Sequence, residues 1–189
     1  MLLGYGMCAS FCTVKDSLRQ MEQLREMGHD ILPILSPLLL STDTRFGTAD
    51  DLVRRIARIT GRENIIRTVK DAEPLGPALI LDALIVSPCT GNTLSKIANG
   101  ISDTSVTMAV KAHLRADRPL VLALASNDAL SQNLKNIATL LCRKNTYFVP
   151  MKQDDPVRKP HSLVADFDRL PETLTLALAH KENRPLFLG

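Results

Sequence analysis

Tryptophan is absent from this 189-residue chain, and aromatic residues of all kinds make up only 4% of it. A core built from such a sequence must be aliphatic, drawn from the Leu, Ile, Val and Ala that dominate its apolar runs. Cysteine is scarce too: Cys8, Cys12, Cys89 and Cys142, no two of them at CxxC spacing. The four histidines, His29, His113, His161 and His180, are scattered. Neither pattern matches a zinc site or a disulfide framework, so the expectation is no metal and a reduced, cytoplasmic setting. Charge of one sign is not concentrated. The net charge is +3, and the mildly basic stretch Arg62–Lys70 reads as a solvated face, which argues against nucleic acid. No run reaches the roughly 20 apolar residues of a membrane span. The apolar N-terminus is broken by Gly4, Gly6 and Ser10 and has no basic n-region, so neither a signal peptide nor a membrane partner is expected.

What is present is a length suited to one ordinary domain, 45% of it hydrophobic, enough to bury a real core. Strand-like and helix-like patterns alternate from end to end, which predicts a doubly wound parallel sheet in a three-layer α/β/α, Rossmann-like arrangement. Strands are expected at Met1–Tyr5, Asp30–Leu35, Ala83–Val86, Pro119–Ala125 and Thr146–Val149, the third ended by Ser87-Pro88. Helices are expected at Thr13–Met27, from Thr48 to a stop at Gly61, at Thr93–Ala98, after a cap at Asp103, and at Leu130–Leu141. Leu38–Gly47 and Asp71–Pro77 read as loops, and Ile65-Ile66 as a weak strand. Residues 1–150 form the α/β domain, and residues 151–189 a proline-punctuated tail with one helix near Glu172–His180, packed on the domain or on a neighbouring protomer.

In an open α/β sheet, ligands bind beyond the carboxyl ends of the strands. Four such ends are polar or carry glycine here: Gly6–Ser10, Ser36–Thr44, Ser87–Thr93 and Ala125–Asp128. The first is not GxGxxG, because Ala9 stands where the third glycine is needed, and Ser36 replaces the acidic residue that a nicotinamide fingerprint wants. The third is the richest. Pro88-Cys89-Thr90-Gly91-Asn92-Thr93 places hydroxyls, a carboxamide and a glycine at a helix N-terminus, where free N–H groups favour an anion.

The stretch Ser87–Ala123, SPCTGNTLSKIANGISDTSVTMAVKAHLRADRPLVLA, resembles the signature of the flavoprotein superfamily of phosphopantothenoylcysteine and peptidyl-cysteine decarboxylases and flavin prenyltransferases. Within it, Thr42-Asp43-Thr44-Arg45-Phe46-Gly47, Ala72-Glu73-Pro74-Leu75-Gly76-Pro77, the CTGNTL loop, Lys111-Ala112-His113-Leu114-Arg115, Ser126-Asn127-Asp128-Ala129-Leu130 and Gln153-Asp154-Asp155-Pro156 resemble the B subunits of dipicolinate synthases. That resemblance implies a part in forming pyridine-2,6-dicarboxylate from a dihydropyridine dicarboxylate of the lysine pathway. It also implies a separate A subunit that binds NAD(P), and action in the mother cell during sporulation. The superfamily implies FMN and a homo-oligomer, such as a trimer or a multiple of one. Carried over by position, the flavin site falls on Gly6, Ala9, Ser10, Ser36, Pro88, Cys89, Thr90, Gly91, Asn92, Thr93, Ser126 and Asn127. Two departures stand out: flavin prenyltransferases carry an arginine where this chain has Ser126, and the decarboxylases' catalytic histidine has no counterpart in Thr42–Gly47. A scaffold without cofactor, or an FMN-dependent decarboxylase or flavin-modifying enzyme, are the alternative readings.

A dicarboxylate needs cations or oriented donors. Arg45 is the candidate to hold one, its other reading being a solvated arginine beside Asp43. His113 is a candidate acid or base, its other reading a packed histidine. Cys89, next to a helix N-terminus, is a candidate nucleophile, its other reading a buried packing residue. Glu73 and Asp128 are alternative bases.

Overall fold

The computed structural model describes residues 1–45, 47–76 and 78–189, so Phe46 and Pro77 of the stretches quoted above lie outside it. Five strands run parallel: β1 (Leu2–Met7), β2 (Asp30–Leu35), β3 (Ala83–Thr90), β4 (Leu120–Ser126) and β5 (Thr146–Phe148). Two short strands from the tail, β6 (Met151–Lys152) and β7 (Leu163–Ala165), extend the sheet antiparallel, in the order β2-β1-β3-β4-β7-β6. β5 and β7 share one edge of β4: β5 pairs with Leu120–Leu122 and β7 with Ala125 and Ser126. The sheet is therefore mixed, and Thr146–Val149 is not the last strand. Strands of two and three residues carry no readable alternation.

Helices cover both faces. On one side α1 (Val14–Glu26), α3 (Ala49–Thr60) and α8 (Leu170–Leu178) close over Leu3, Tyr5, Ile31, Ile85 and Val121. On the other, α4 (Val69–Ala72), α5 (Gly91–Ala98), α6 (Ser105–Leu114) and α7 (Leu134–Leu141) close over Leu32, Ile34, Leu84, Val86 and Leu122. Leu84, Ile85 and Val86 are wholly buried, as a strand covered on both faces must be. Each such side chain contributes about 1.5–3 kcal/mol by leaving water. β1 tolerates the close approach because of its glycines: a Cβ at Gly4 would lie 2.6 Å from Leu81 and 2.7 Å from Leu84, and one at Gly6 would lie 3.2 Å from Val106 of α6.

Several boundaries move from those expected, each for a local reason. β1 runs on to Met7 because its glycines are packing positions, not a turn. β3 does not stop at Ser87-Pro88; its register with β4 shifts between Val86 and Cys89, and pairing resumes at Cys89 and Thr90. Pro37 opens α2 (Pro37–Ser41), too short for a periodic signal, inside the expected loop. Thr68 caps α4 within the second expected loop. Ile66 makes only an isolated bridge to Ile34. The cap of α6 is Thr104, in a reciprocal box with Thr107, while Asp103 binds Lys96 at 2.8 Å. α7 starts at Leu134 because the preceding turn is tied to the tail, Leu130 N–H donating to the His161 carbonyl.

His113 shows how tightly the second layer is closed. It is fully buried near the end of α6, and its Nε2 lies 2.9 Å from the Pro119 carbonyl just before β4. A carbonyl only accepts, so the proton sits on Nε2, and Nδ1 is buried without a partner. Burial holds the pKa below the ordinary 6.5, and the nearby Arg118 adds to that. The folded chain thus keeps His113 neutral where the unfolded chain would take a proton. Stability is present above the unfolded value and falls as pH drops below it. Thermal unfolding followed from pH 7.5 to 5 should show the melting temperature falling below about pH 6.5. His113→Gln, which can still donate to Pro119, should flatten that slope.

Candidate functional site

The first three strand ends are stitched to one another by short polar bonds. Cys8, just past β1, donates its N–H to the Pro88 carbonyl of β3 at 3.2 Å, and Ser36, just past β2, donates to the Met7 carbonyl at 3.0 Å. Thr90 caps α5 through its Oγ1, which accepts from Thr93 N–H at 3.3 Å and donates to Thr93 Oγ1 at 3.1 Å. Thr93 Oγ1 in turn donates to Cys8 Sγ at 3.2 Å. Burial pushes the Cys8 thiol up to about 11, so it accepts that bond as a neutral thiol. Behind them, Tyr5 OH donates to the Ser17 carbonyl at 2.8 Å and Ser17 Oγ to the Ser87 carbonyl at 2.5 Å, which clamps α1 to β1 and β3. Ser36 Oγ is buried without any partner. A buried hydroxyl in that state costs about 1–3 kcal/mol, and it stands at the carboxyl end of a strand.

At the end of β4 a second cluster forms. Asp128 accepts from Ser126 Oγ at 2.5 Å and from Asn133 Nδ2 at 2.9 Å, and Asn136 Nδ2 donates on to Asn133 Oδ1 at 2.8 Å. These bonds, Ser126 first, hold the Asp128 carboxyl below its usual range despite partial burial. The cluster leans over the first turn of α5. A Cβ at Gly91 would meet Ser126 Oγ, Asn133 Nδ2 and Asp128 Oδ1, all closer than 3.0 Å. Gly91 therefore makes room for the protein's own side chains, and the Asp128 carboxylate stands beside this helix N-terminus, where negative charge is favoured. Asn133 and Asn136 were not legible as site residues, since they lie inside a helical pattern. Asp128 carries the signals of following a strand end and of lying in the family-like Ser126–Leu130 stretch, and reads there as an alternative base.

The expected site residues separate accordingly. Ser10, Ser36, Thr90, Thr93 and Ser126 come together around the strand ends, with Asn92 and Asn127 exposed at the rim. Ser10 is fixed by Thr13, whose Oγ1 donates to its carbonyl at 3.0 Å and lies 2.9 Å from its Oγ. Gly6 lies inside β1 against Val106, and Ala9 packs on the α1 layer. Pro88 is buried in β3, as is Cys89, whose thiol burial pushes well above its ordinary value; it is not an activated nucleophile. His113 lies by the amino end of β4, away from the crevice. Arg45 is exposed in the loop after α2. Neither His113 nor Cys89 can move protons at the strand ends. Among the described residues no group of acids, histidines and cysteines is placed to hold a metal, and no helix is long and apolar enough to cross a membrane.

The flavoprotein family pattern matches residues 57–168 of the chain. The B subunit of dipicolinate synthase from Bacillus subtilis is 43% identical over 186 residues, 98% of this chain and 92% of the relative. The chain belongs to the flavoprotein family. The crystal structure of the corresponding B subunit of dipicolinate synthase from Bacillus halodurans superposes with a TM-score of 0.91 at 40% identity, covering 100% of this chain and 96% of that one. A dodecameric FMN-dependent UbiX-like decarboxylase from Escherichia coli superposes at 0.62 with 25% identity, over 79% of this chain and 80% of that one.

The flavoprotein name raises the question of FMN. The orphaned Ser36 Oγ and the hydroxyls of Ser10 and Thr90 are neutral groups that fit the hydroxyl-rich chain and polar ring edge of a flavin. The β4 end does not fit a phosphate, because Asp128 already faces the α5 N-terminus and like charges repel.

Replacing Gly91 by alanine tests how firmly this cluster is built. Three contacts under 3.0 Å must be relieved by displacing Ser126, Asp128 and Asn133. We expect a loss of about 1–3 kcal/mol in denaturant unfolding. Gly91 is helical, so no strain of a left-handed conformation adds to that cost.

Proposed function

We propose that this chain is the B subunit of a dipicolinate synthase. With a nicotinamide-binding A subunit it oxidises a dihydropyridine dicarboxylate to pyridine-2,6-dicarboxylate, in the cytoplasm of the mother cell during sporulation. The observation that carries this reading is likeness to dipicolinate synthase B subunits over the whole length of the chain, at 43% identity in sequence and a TM-score of 0.91 in structure. Aromatisation removes two hydrogens from the ring, a hydride to the nicotinamide on the A subunit and a proton to solvent or base. The proposed share of this chain is binding and orientation. His113 and Cys89 are buried away from use, while the strand ends offer hydroxyls, a carboxamide at Asn92 and no activated base.

FMN, when bound, would supply a ring able to accept or pass on a hydride. Ser10, Ser36 and Thr90 are the residues to hold it, and Asp128 works against its phosphate. Asp128→Asn removes that repulsion and should tighten FMN binding severalfold, read by quenching of flavin fluorescence on titration. Unchanged or weaker binding would remove Asp128 from the account. A homo-oligomer is proposed as well, in line with the dodecameric relative.

The test is reconstitution. The purified chain mixed with an A subunit should form NAD(P)H and pyridine-2,6-dicarboxylate from the dihydro substrate at a rate that the A subunit alone does not reach. Asn92→Ala should abolish that gain without changing stability, because Asn92 is exposed on the first turn of α5. If the A subunit alone reaches the full rate, the proposed catalytic role of this chain fails.

A further inference from the structure

Beside the strand ends, the α1–α3 layer holds a cavity of about 320 Å³. Its walls are Phe11 from the turn before α1, Val14 and Leu18 from α1, Leu39 from α2, and Leu52 from α3. Thr42 lines it with a hydroxyl, Thr48 lines it with its hydroxyl committed to Asp51, and Lys15, Asp51 and Arg55 supply charge. Ser10 adjoins it through Cys12, another lining residue, 3.9 Å from Ser10 Oγ.

The three charges are not equally available. Asp51 already accepts from Thr48 Oγ1 at 2.7 Å and from Arg54 at 2.6 Å, so its negative charge is spent within α3. Arg55 gives one arm to Glu22 at 3.1 Å. Lys15 has no ion-pair partner among the described residues. Thr13, the N-cap of α1, makes no side-chain cap bond to the helix, because its hydroxyl is turned to Ser10. The cavity thus combines apolar walls with one uncommitted cation and the Thr42 hydroxyl. That combination selects a small planar ring bearing carboxylate. The strand-end crevice offers the opposite: neutral hydroxyls, Asp128 and no lysine or arginine among the residues gathered there. Placing two carboxylates in such surroundings is costly.

We propose that the cavity between α1 and α3, with Lys15 as carboxylate partner and Phe11, Leu39 and Leu52 flanking the ring, is the site on this chain for a pyridine or dihydropyridine carboxylate. This rests on the reading of the chain as the B component of a dipicolinate synthase, and it separates the substrate's place from that of any flavin.

The test is titration calorimetry of the full-length chain with pyridine-2,6-dicarboxylate, alongside KM for the dihydro substrate in the mixture with the A subunit. Lys15→Met should weaken binding about tenfold and raise KM, with Lys15→Arg restoring both. Leu52→Trp, which fills the cavity, should abolish binding. Lys135→Met, an exposed charge on α7 in the opposite layer, should change neither. Melting temperatures near wild type show that the variants are folded. No binding to the wild-type chain, or wild-type affinity in both Lys15→Met and Leu52→Trp, overturns the site. So does FMN competing with the dicarboxylate and losing affinity equally in Lys15→Met, since the cavity would then be the flavin's. A wild-type mixture of the two components without synthase activity overturns the function instead, and the calorimetry still decides the site.

Discussion

β3 is held between β1 and β4 and buried on both faces, so any irregularity in it must be resolved within a fixed frame. Its register with β4 shifts between Val86 and Cys89, and the position of the whole crevice follows. After the shift Thr90 stands at the end of the strand as the cap of α5, Thr93 reaches Cys8, and the Pro88 carbonyl receives the Cys8 N–H. Without the shift the hydroxyls of the CTGNT loop would not meet the end of β1. Gly91 would not lie under the Ser126–Asp128–Asn133 cluster.

The two helical layers divide the work that a ligand site requires. On the α5–α7 side, polar groups satisfy one another: threonine with threonine, asparagine with asparagine, aspartate with serine. Such a network fixes positions and leaves little binding capacity. On the α1–α3 side, a cavity opens beside the first turns of both helices, with a lysine among its lining residues. The orphaned Ser36 hydroxyl stands between the end of β2 and the start of α2. This division suits the function proposed above, in which a partner would carry the nicotinamide.

How much of this could be read in advance differs by scale. The α/β class, the parallel strands and the capping roles of Thr48 and Gly61 follow from periodicity and cap chemistry, which act over a few residues. The convergence of Ser10, Ser36, Thr90 and Ser126 follows from the rule for strand ends. Gly91 and His113 did not yield to the same reading. A glycine admits a ligand or a neighbouring side chain equally well, and only the place of Asn133, some forty residues on, decides which. A histidine on an apolar helix faces either a crevice or a carbonyl, and the Pro119 carbonyl lies outside any local pattern.

By itself the sequence determined the layered fold, the aliphatic core and the family, because hydrophobic period, composition and motif order are properties of the linear chain. Tertiary structure alone decided that Asp128 stands beside the first turn of α5, that two tail strands complete the sheet, and that Lys15 borders an apolar cavity. Each of these depends on distances between residues far apart in sequence, set by how the layers pack.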